Sequence, residues 1–162
     1  DTYLQFKKIH AVTKAKLKID EATSEALALH TSRISRMMNG ADRYSAKRLI
    51  DAAYKDLACR SRLVEIRVHN DKQLSHLREA TDKMSKYIRT EYADDLREFG
   101  TAADRTAYVD RVLRKAHETL QEGTQLLDML DMFIKDIDQA NYSLKLAGEC
   151  MKLLVEKRGS VL

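Results

Sequence analysis

Five histidines are the side chains best suited to acid–base or metal chemistry, and they are His10, His30, His69, His76 and His117. None lies four residues from another histidine, and none follows a glutamate at the three-residue spacing that helical metal ligands use. His69 and His76 are seven residues apart and would share one helix face. The spacing predicts solvated surface histidines and no metal site.

Carboxylates and thiols offer little more chemistry. Acidic residues that could hold a divalent cation cluster at Asp94, Asp95, Asp128, Asp131, Asp136 and Asp138, in a pattern more typical of a solvated helix face. The sequence has no glycine-rich phosphate loop and no nucleophile motif, and Cys59 and Cys150 follow no metal or redox spacing. We therefore predict a protein without catalytic activity, cofactor or metal, with reduced thiols.

The elements that would position these groups are helices. The 162 residues include no proline and five glycines, so little interrupts a helix. Catalytic residues usually converge from several loops, and a chain of long helices has few loops. Charged residues make up 33% of the chain, but the apolar residues are periodic, which favours a folded helical protein over disorder. No apolar run approaches the roughly 20 residues that span a bilayer. We expect a cytoplasmic protein without membrane contact, in the host cytoplasm if a phage encodes it.

Three stop signals divide the chain. They are Asn39-Gly40, Phe99-Gly100-Thr101 and Lys157-Arg158-Gly159. Thr101 and Asp104 form a plausible capping box. The fold class predicted is all-α, a single helical domain over residues 1–162 with three long helices at about 3–38, 42–98 and 102–158. The short connection at Gly100 predicts a long antiparallel C-terminal helical hairpin.

The third helix carries the clearest packing pattern. Steps of three and four residues give a heptad seam at Leu113, Ala116, Leu120, Gly123, Leu127, Leu130, Ile134, Ile137, Asn141, Leu144, Gly148, Met151 and Val155. A second stripe follows at Val112, Leu126, Phe133, Ala140, Ala147 and Leu154, broken at Thr119. The second helix has a rougher seam at Leu74, Leu77, Thr81, Met84, Ile88, Tyr92, Leu96 and Phe99, interrupted further back at Asn70 and Gln73. These patterns predict coiled-coil-like packing.

Helix length suggests a further chain. The first helix has about two thirds of the length of the others, so it cannot cover the whole apolar face of the hairpin, and a large uncovered patch is unusual on a monomer. We predict a homo-oligomer whose interface includes Leu126, Leu127, Leu130, Phe133, Ile134, Ile137, Leu144 and Met151. The alternative is a monomer in which the first helix folds along the hairpin and the rest of the apolar face remains as an irregular exposed surface.

Charge is unevenly distributed. Residues 1–19 carry five lysines against Asp1, and residues 33–67 carry nine basic against four acidic residues, whereas residues 91–138 carry six basic against twelve acidic residues. Repeated around an oligomer, such a basic end would bind a polyanion in a salt-sensitive way. Solvent-exposed helix faces with no binding role would explain this distribution of charged residues equally well. Tyr44 and Tyr54 lie among the bases and could stack on unpaired bases, although we interpret them as core residues.

Two segments resemble a known family. Arg60-Ser61-Arg62-Leu63 is similar to a basic-x-basic-Leu element of the UvsY-type recombination mediators of T-even-like phages. The third helix resembles that family's C-terminal part at Thr119-Leu120-Gln121, Leu126-Leu127-Asp128, Ile137 and Tyr142-Ser143-Leu144-Lys145, with Ala140-Asn141 in place of the family's Arg-Gly. The resemblance covers about a third of the chain.

This resemblance implies an oligomeric accessory protein of recombination that binds single-stranded DNA. It would help to load a RecA-like recombinase in place of a single-strand-binding protein. Arg60 and Arg62 would contact phosphates, supported by Lys47, Arg48, Lys55 and Arg67. The residues leave two alternatives open, a helical scaffold or adaptor that binds only proteins, and the weaker possibility of membrane-surface binding by the lysine-rich first helix.

Overall fold

The computed structural model describes residues 1–39 and 46–159, and every regular element in these ranges is a helix. The helices are α1 (Thr2–Leu17), α2 (Ile19–Met38), α3 (Ala46–Glu91), α4 (Ala93–Arg97) and α5 (Ala102–Gly159). The all-α prediction is confirmed. The predicted helix start at Asp42, like Gly40, Arg43 and Tyr44, lies outside the described residues.

The predicted first helix is divided at Lys18. This lysine adopts a left-handed conformation with φ 44° and ψ 49°, and α2 begins at the next residue. Such a conformation costs a non-glycine residue about 1–2 kcal/mol. Leu17 before the break and Ala22 after it are both buried, which offsets that cost. Because no glycine or proline marks the position, the sequence carried no signal for this break.

The turn before α5 follows the predicted capping pattern. The Asp104 backbone N–H donates to the Thr101 hydroxyl at 3.1 Å, and that hydroxyl donates to the Asp104 carboxylate at 2.7 Å. On the other side of the turn, α3 is interrupted at Tyr92, and the short α4 leads to Phe99. The Phe99 and Tyr108 rings pack 5.1 Å apart. The helix stop at Gly100 was therefore predicted, and the interruption at Tyr92 was not.

The chain forms two compact units. The first unit contains Asp1–Glu25 and Glu65–Met129, and the second contains Ala26–Val64 and Leu130–Leu162. Helices α2, α3 and α5 each contribute to both. In the first unit, α1 packs on antiparallel parts of α3 and α5 around a core of Phe6, Leu77, Met84, Ile88, Val109, Leu113 and Ala116.

Glycine permits the closest contact in the first unit. The Leu74 side chain occupies the space that a Cβ at Gly123 would need. Both residues are buried, so α3 and α5 interlock there. Gly148 differs, because a Cβ built on it would meet nothing within 4 Å.

Polar residues that interrupted the apolar patterns are buried in the first unit. Thr119 accepts a hydrogen bond from His10 Nε2 at 3.0 Å and donates to the Lys115 carbonyl at 3.1 Å. Asn70 is also buried and donates to the Ile66 carbonyl at 2.9 Å. The packed seam therefore continues through positions where the apolar sequence pattern breaks.

Candidate functional site

The second unit contains most of the predicted site residues, and a buried arginine organises part of it. Arg33 is 1% exposed, donates to Asp56 at 3.2 Å and also pairs with Asp136. Arg36 donates to the other oxygen of Asp56 at 3.1 Å. Two of the basic residues that gave this region its charge are therefore used to hold α2 against α3 and α5.

A second ion pair engages a predicted nucleic-acid contact. Arg60 donates to both carboxylate oxygens of Asp138, at 2.6 Å from Nε and 3.1 Å from Nη2. The hydrogen bond from Arg60 keeps the pKa of Asp138 below its usual range. Arg60 is thus already bound to a carboxylate in the geometry that it would use for a phosphate.

The other predicted nucleic-acid contacts divide between the units. Lys47, Arg48, Lys55 and Arg62 are exposed on the second unit's part of α3, whereas Arg67 is half-buried in the first unit. Tyr54 is 69% exposed, so our interpretation of Tyr54 as a core residue is wrong. Its ring has no covering element in the part of the chain that the structure describes, and it lies among the exposed bases of α3.

The predicted interface residues have three different environments. Packing within the chain buries Leu126, Leu130, Phe133 and Ile137, and the Phe133 ring stacks on His30 with centroids 4.0 Å apart. Leu127 and Ile134 are half-buried. Leu144 and Met151 are 46% and 69% exposed. The predicted face is therefore covered from within as far as about Asn141, and what stays uncovered lies beyond it.

We call residues 142–157 of α5 the C-terminal segment. Each of its side chains is exposed, including seven large apolar ones, Tyr142, Leu144, Leu146, Met151, Leu153, Leu154 and Val155. At 100° per residue, the apolar and small positions from Tyr142 round to Gly148 cover an arc of about 240°, interrupted only by Lys157 in the last turn. The sequence seam missed Leu146 and Leu153, because they lie outside the stripe that packs in the rest of α5.

Four of the five charged residues of the C-terminal segment lie in a narrow stripe, and the fifth, Lys157 in the last turn, lies outside it. Lys145, Glu149, Lys152 and Glu156 recur at steps of four, three and four residues, within an arc of about 60°. Lysine and glutamate alternate along this stripe, so neighbouring charges have opposite sign. This stripe is the face of the segment best suited to water.

The first turns of α3 expose a second apolar surface in the same unit. Leu49, Ile50 and Leu57 are exposed and lie on one side of the helix, with Tyr54 at its border. Lys47, Arg48 and Lys55 lie on the other side. The described part of the second unit thus presents apolar helix surface and basic side chains.

Neither a metal site nor a membrane-spanning helix is found among residues 1–39 and 46–159. No group of three or more His, Cys, Asp or Glu side chains is placed to hold a metal ion there. No described helix is both long and apolar enough to cross a bilayer. Comparison of the chain with family models, curated proteins and solved structures gives no match.

Proposed function

We propose that this chain is a non-catalytic helical protein that assembles with copies of itself through the C-terminal segment. One observation carries the proposal: an apolar arc of about 240° on a helix is typical of a helix that is buried on more than one side. The described part of the chain leaves this arc exposed. Association with another helix would remove that surface from water.

Energetics support association. Burying one leucine or methionine side chain contributes about 1.5–3 kcal/mol, and the segment exposes several. A 16-residue helix without packing is marginal in water, so contact with a second chain would also stabilise its helical conformation. Closed symmetric homo-oligomers are the commonest soluble assemblies, and this favours another copy as the partner.

Sedimentation velocity over a range of concentrations tests the proposal. The wild-type chain should sediment as an oligomer, and Leu154→Glu should shift it toward the monomer, because a carboxylate would have to be buried. Lys152→Gln, on the charged stripe, is the matched control and should leave the sedimentation unchanged. A wild-type chain that stays monomeric at high concentration would exclude the proposal.

A second candidate function adds to the first. We propose that the assembled chain binds single-stranded DNA as an accessory protein of recombination or replication that helps to load a RecA-like recombinase. The exposed ring of Tyr54 beside Lys47, Arg48 and Lys55 supports this candidate, because aromatic rings and cations together bind unpaired bases and their phosphates. The UvsY-type resemblance at Arg60-Ser61-Arg62-Leu63 supports it as well. The alternative is a scaffold that binds only proteins.

Anisotropy of a labelled deoxythymidine oligonucleotide at two salt concentrations separates these alternatives. DNA binding should weaken steeply with salt, because binding releases counterions. Tyr54→Ala should weaken it further, while Tyr142→Ala, on the C-terminal segment, is the exposed-tyrosine control. Absence of binding at low salt would select the protein scaffold.

The Arg60 ion pair gives this test a second arm. Asp138→Asn should strengthen binding, because it frees Arg60 from its carboxylate, and Arg60→Ala should reverse that gain. If neither substitution changes the affinity, Arg60 does not contact DNA.

A further inference from the structure

The two ends of the C-terminal segment differ in side-chain size on the face opposite the charged stripe. Ser143, Ala147, Cys150 and Leu154 lie within an arc of about 60° centred on that face. Ala147 is small and Leu154 is large, seven residues apart on one line of the helix. This asymmetry decides which orientation of two copies can pack evenly.

Parallel pairing would put like against like. Ala147 would face Ala147 of the second copy and leave a gap, while Leu154 would face Leu154 and force the helices apart. Two straight helices would have to take one spacing that suits neither position, and both the gap and the overpacking would destabilise the pair.

Antiparallel pairing removes this conflict. We propose that the C-terminal segments of two copies pack antiparallel across a twofold axis between Cys150 and Met151, so that Ala147 of each copy faces Leu154 of the other. Leu146 then lies beside Leu153 of the second copy on one flank. The charged stripes of both helices point outward into water, on the side away from the contact, and Lys157 of each copy lies at the end of the contact near Ser143 of the other.

This arrangement rests on the proposed self-assembly and defines it further. A twofold contact uses the same surface on both copies, so it closes at two chains and leaves no open end for a fibre. Antiparallel helices also align their dipoles favourably. The flanks of the apolar arc remain for further contacts within the assembly.

Thiol cross-linking with a short bismaleimide tests orientation and register together. In the antiparallel pair the two Cys150 residues are offset by about 1.5 Å along the axis, whereas two residues at position 143 are about 22 Å apart. Positions 143 and 150 share one face of the helix. In a parallel pair, therefore, position 143 would lie near position 143 of the second copy, and position 150 near position 150. Cys59 is buried and burial raises the pKa of its thiol, so it should contribute little background.

Four chains give the readout. The wild-type chain should form a cross-linked dimer through Cys150, and Cys150→Ser should not. Ser143→Cys and Lys157→Cys, each in the Cys150→Ser chain, should fail to cross-link alone. An equal mixture of these two chains should form the mixed dimer, because positions 143 and 157 are offset by only about 1.5 Å along the axis in the antiparallel register.

Every other outcome rejects either the antiparallel contact or self-assembly itself. Cross-linking of Ser143→Cys chains with each other shows a parallel pair, and an oligomer without any of these cross-links uses another surface. Both results reject the antiparallel contact but keep self-assembly. A monomer in sedimentation rejects both proposals. Leu154→Glu, with unchanged circular dichroism, should raise the dimer dissociation constant by tenfold or more, equivalent to about 1.4 kcal/mol.

Discussion

At the scale of single residues, Arg33 shows how a charged side chain in a basic segment becomes structural. Its guanidinium is buried between Asp56 and Asp136, and its Nη2 has no hydrogen-bond partner among the described residues. In the sequence, Arg33 is one of the nine basic residues that give residues 33–67 their positive charge. Neither carboxylate partner could be assigned beforehand, because they lie 23 and 103 residues away.

We expect Asp56→Ala to destabilise the fold by about 3–5 kcal/mol, because it leaves the buried Arg33 without its α3 partner. Arg33→Met should cost far less, since an apolar side chain of similar length removes the buried charge. Urea unfolding followed by circular dichroism measures both. Equal losses in the two variants would contradict the buried-charge explanation.

His10 gives the first unit a pH dependence. Burial first, and then the charges of Lys14 and Lys115, lower the pKa of His10 below 6.5. The unfolded chain therefore binds a proton at a higher pH than the folded chain does. The free energy of unfolding should fall as pH drops from about 6.5 through the folded pKa.

His10→Gln is the variant that tests this dependence, because glutamine can still donate a hydrogen bond to Thr119 without titrating. Its thermal midpoint should fall less between pH 7 and pH 5 than that of the wild-type chain. His117→Gln, on an exposed part of α5, is the control. An equal acid loss in wild-type and His10→Gln chains would remove His10 from this account.

At the scale of helices, a sequence period predicts what packs but not what covers it. The seam residues Leu113, Leu130 and Ile137 are buried as the heptad pattern indicates, whereas Met151 and Val155 continue the same pattern on an exposed segment. The heptad pattern identifies the apolar face of the helix, but it does not indicate whether another element packs on that face. The end of that coverage depends on where α2 stops, and this is a property of the tertiary structure.

The contrast between Gly123 and Gly148 tests packing on α5 directly. Gly123→Ala should destabilise by about 1–2 kcal/mol, because the new Cβ overlaps the buried Leu74 side chain and this outweighs the gain in helix propensity. Gly148→Ala should stabilise by about 0.5–1 kcal/mol, because its Cβ meets open space.

Chemical denaturation in a Leu154→Glu background compares the two glycine variants without self-association. Opposite signs are expected for the two substitutions. A stabilising Gly123→Ala would show that Leu74 moves aside at little cost, and the interlock of α3 and α5 would then be looser than the structure indicates.

At the scale of the whole molecule, the sequence predicted the helices better than the functional residues. The all-α class and the Thr101 cap follow from local rules, and both are confirmed. Arg60 carried a motif in the sequence, yet Asp138 binds it from 78 residues away. Tyr54 was interpreted as a core residue, but it lies opposite the buried positions of α3, and no element in the described part of the chain covers it. The predictions that failed depend on contacts between residues far apart in the sequence, and local sequence patterns do not encode such contacts.

Self-association should make stability depend on concentration. If the folded chain associates and the unfolded chain does not, the thermal midpoint should rise with protein concentration, by mass action. Calorimetry at two concentrations tenfold apart measures the shift. Leu154→Glu should abolish the concentration dependence, and an unchanged midpoint in the wild-type chain would contradict association of the folded state.

The alternating lysines and glutamates of the C-terminal segment should make self-association much less sensitive to ionic strength than the proposed DNA binding is. Because Lys145, Glu149, Lys152 and Glu156 cancel in charge and leave only Lys157 on the segment, added sodium chloride has little electrostatic repulsion or attraction to screen between the segments. Contacts to phosphates, in contrast, weaken as counterions are supplied. A concentrated salt wash should therefore strip nucleic acid from the protein and leave an intact, empty assembly.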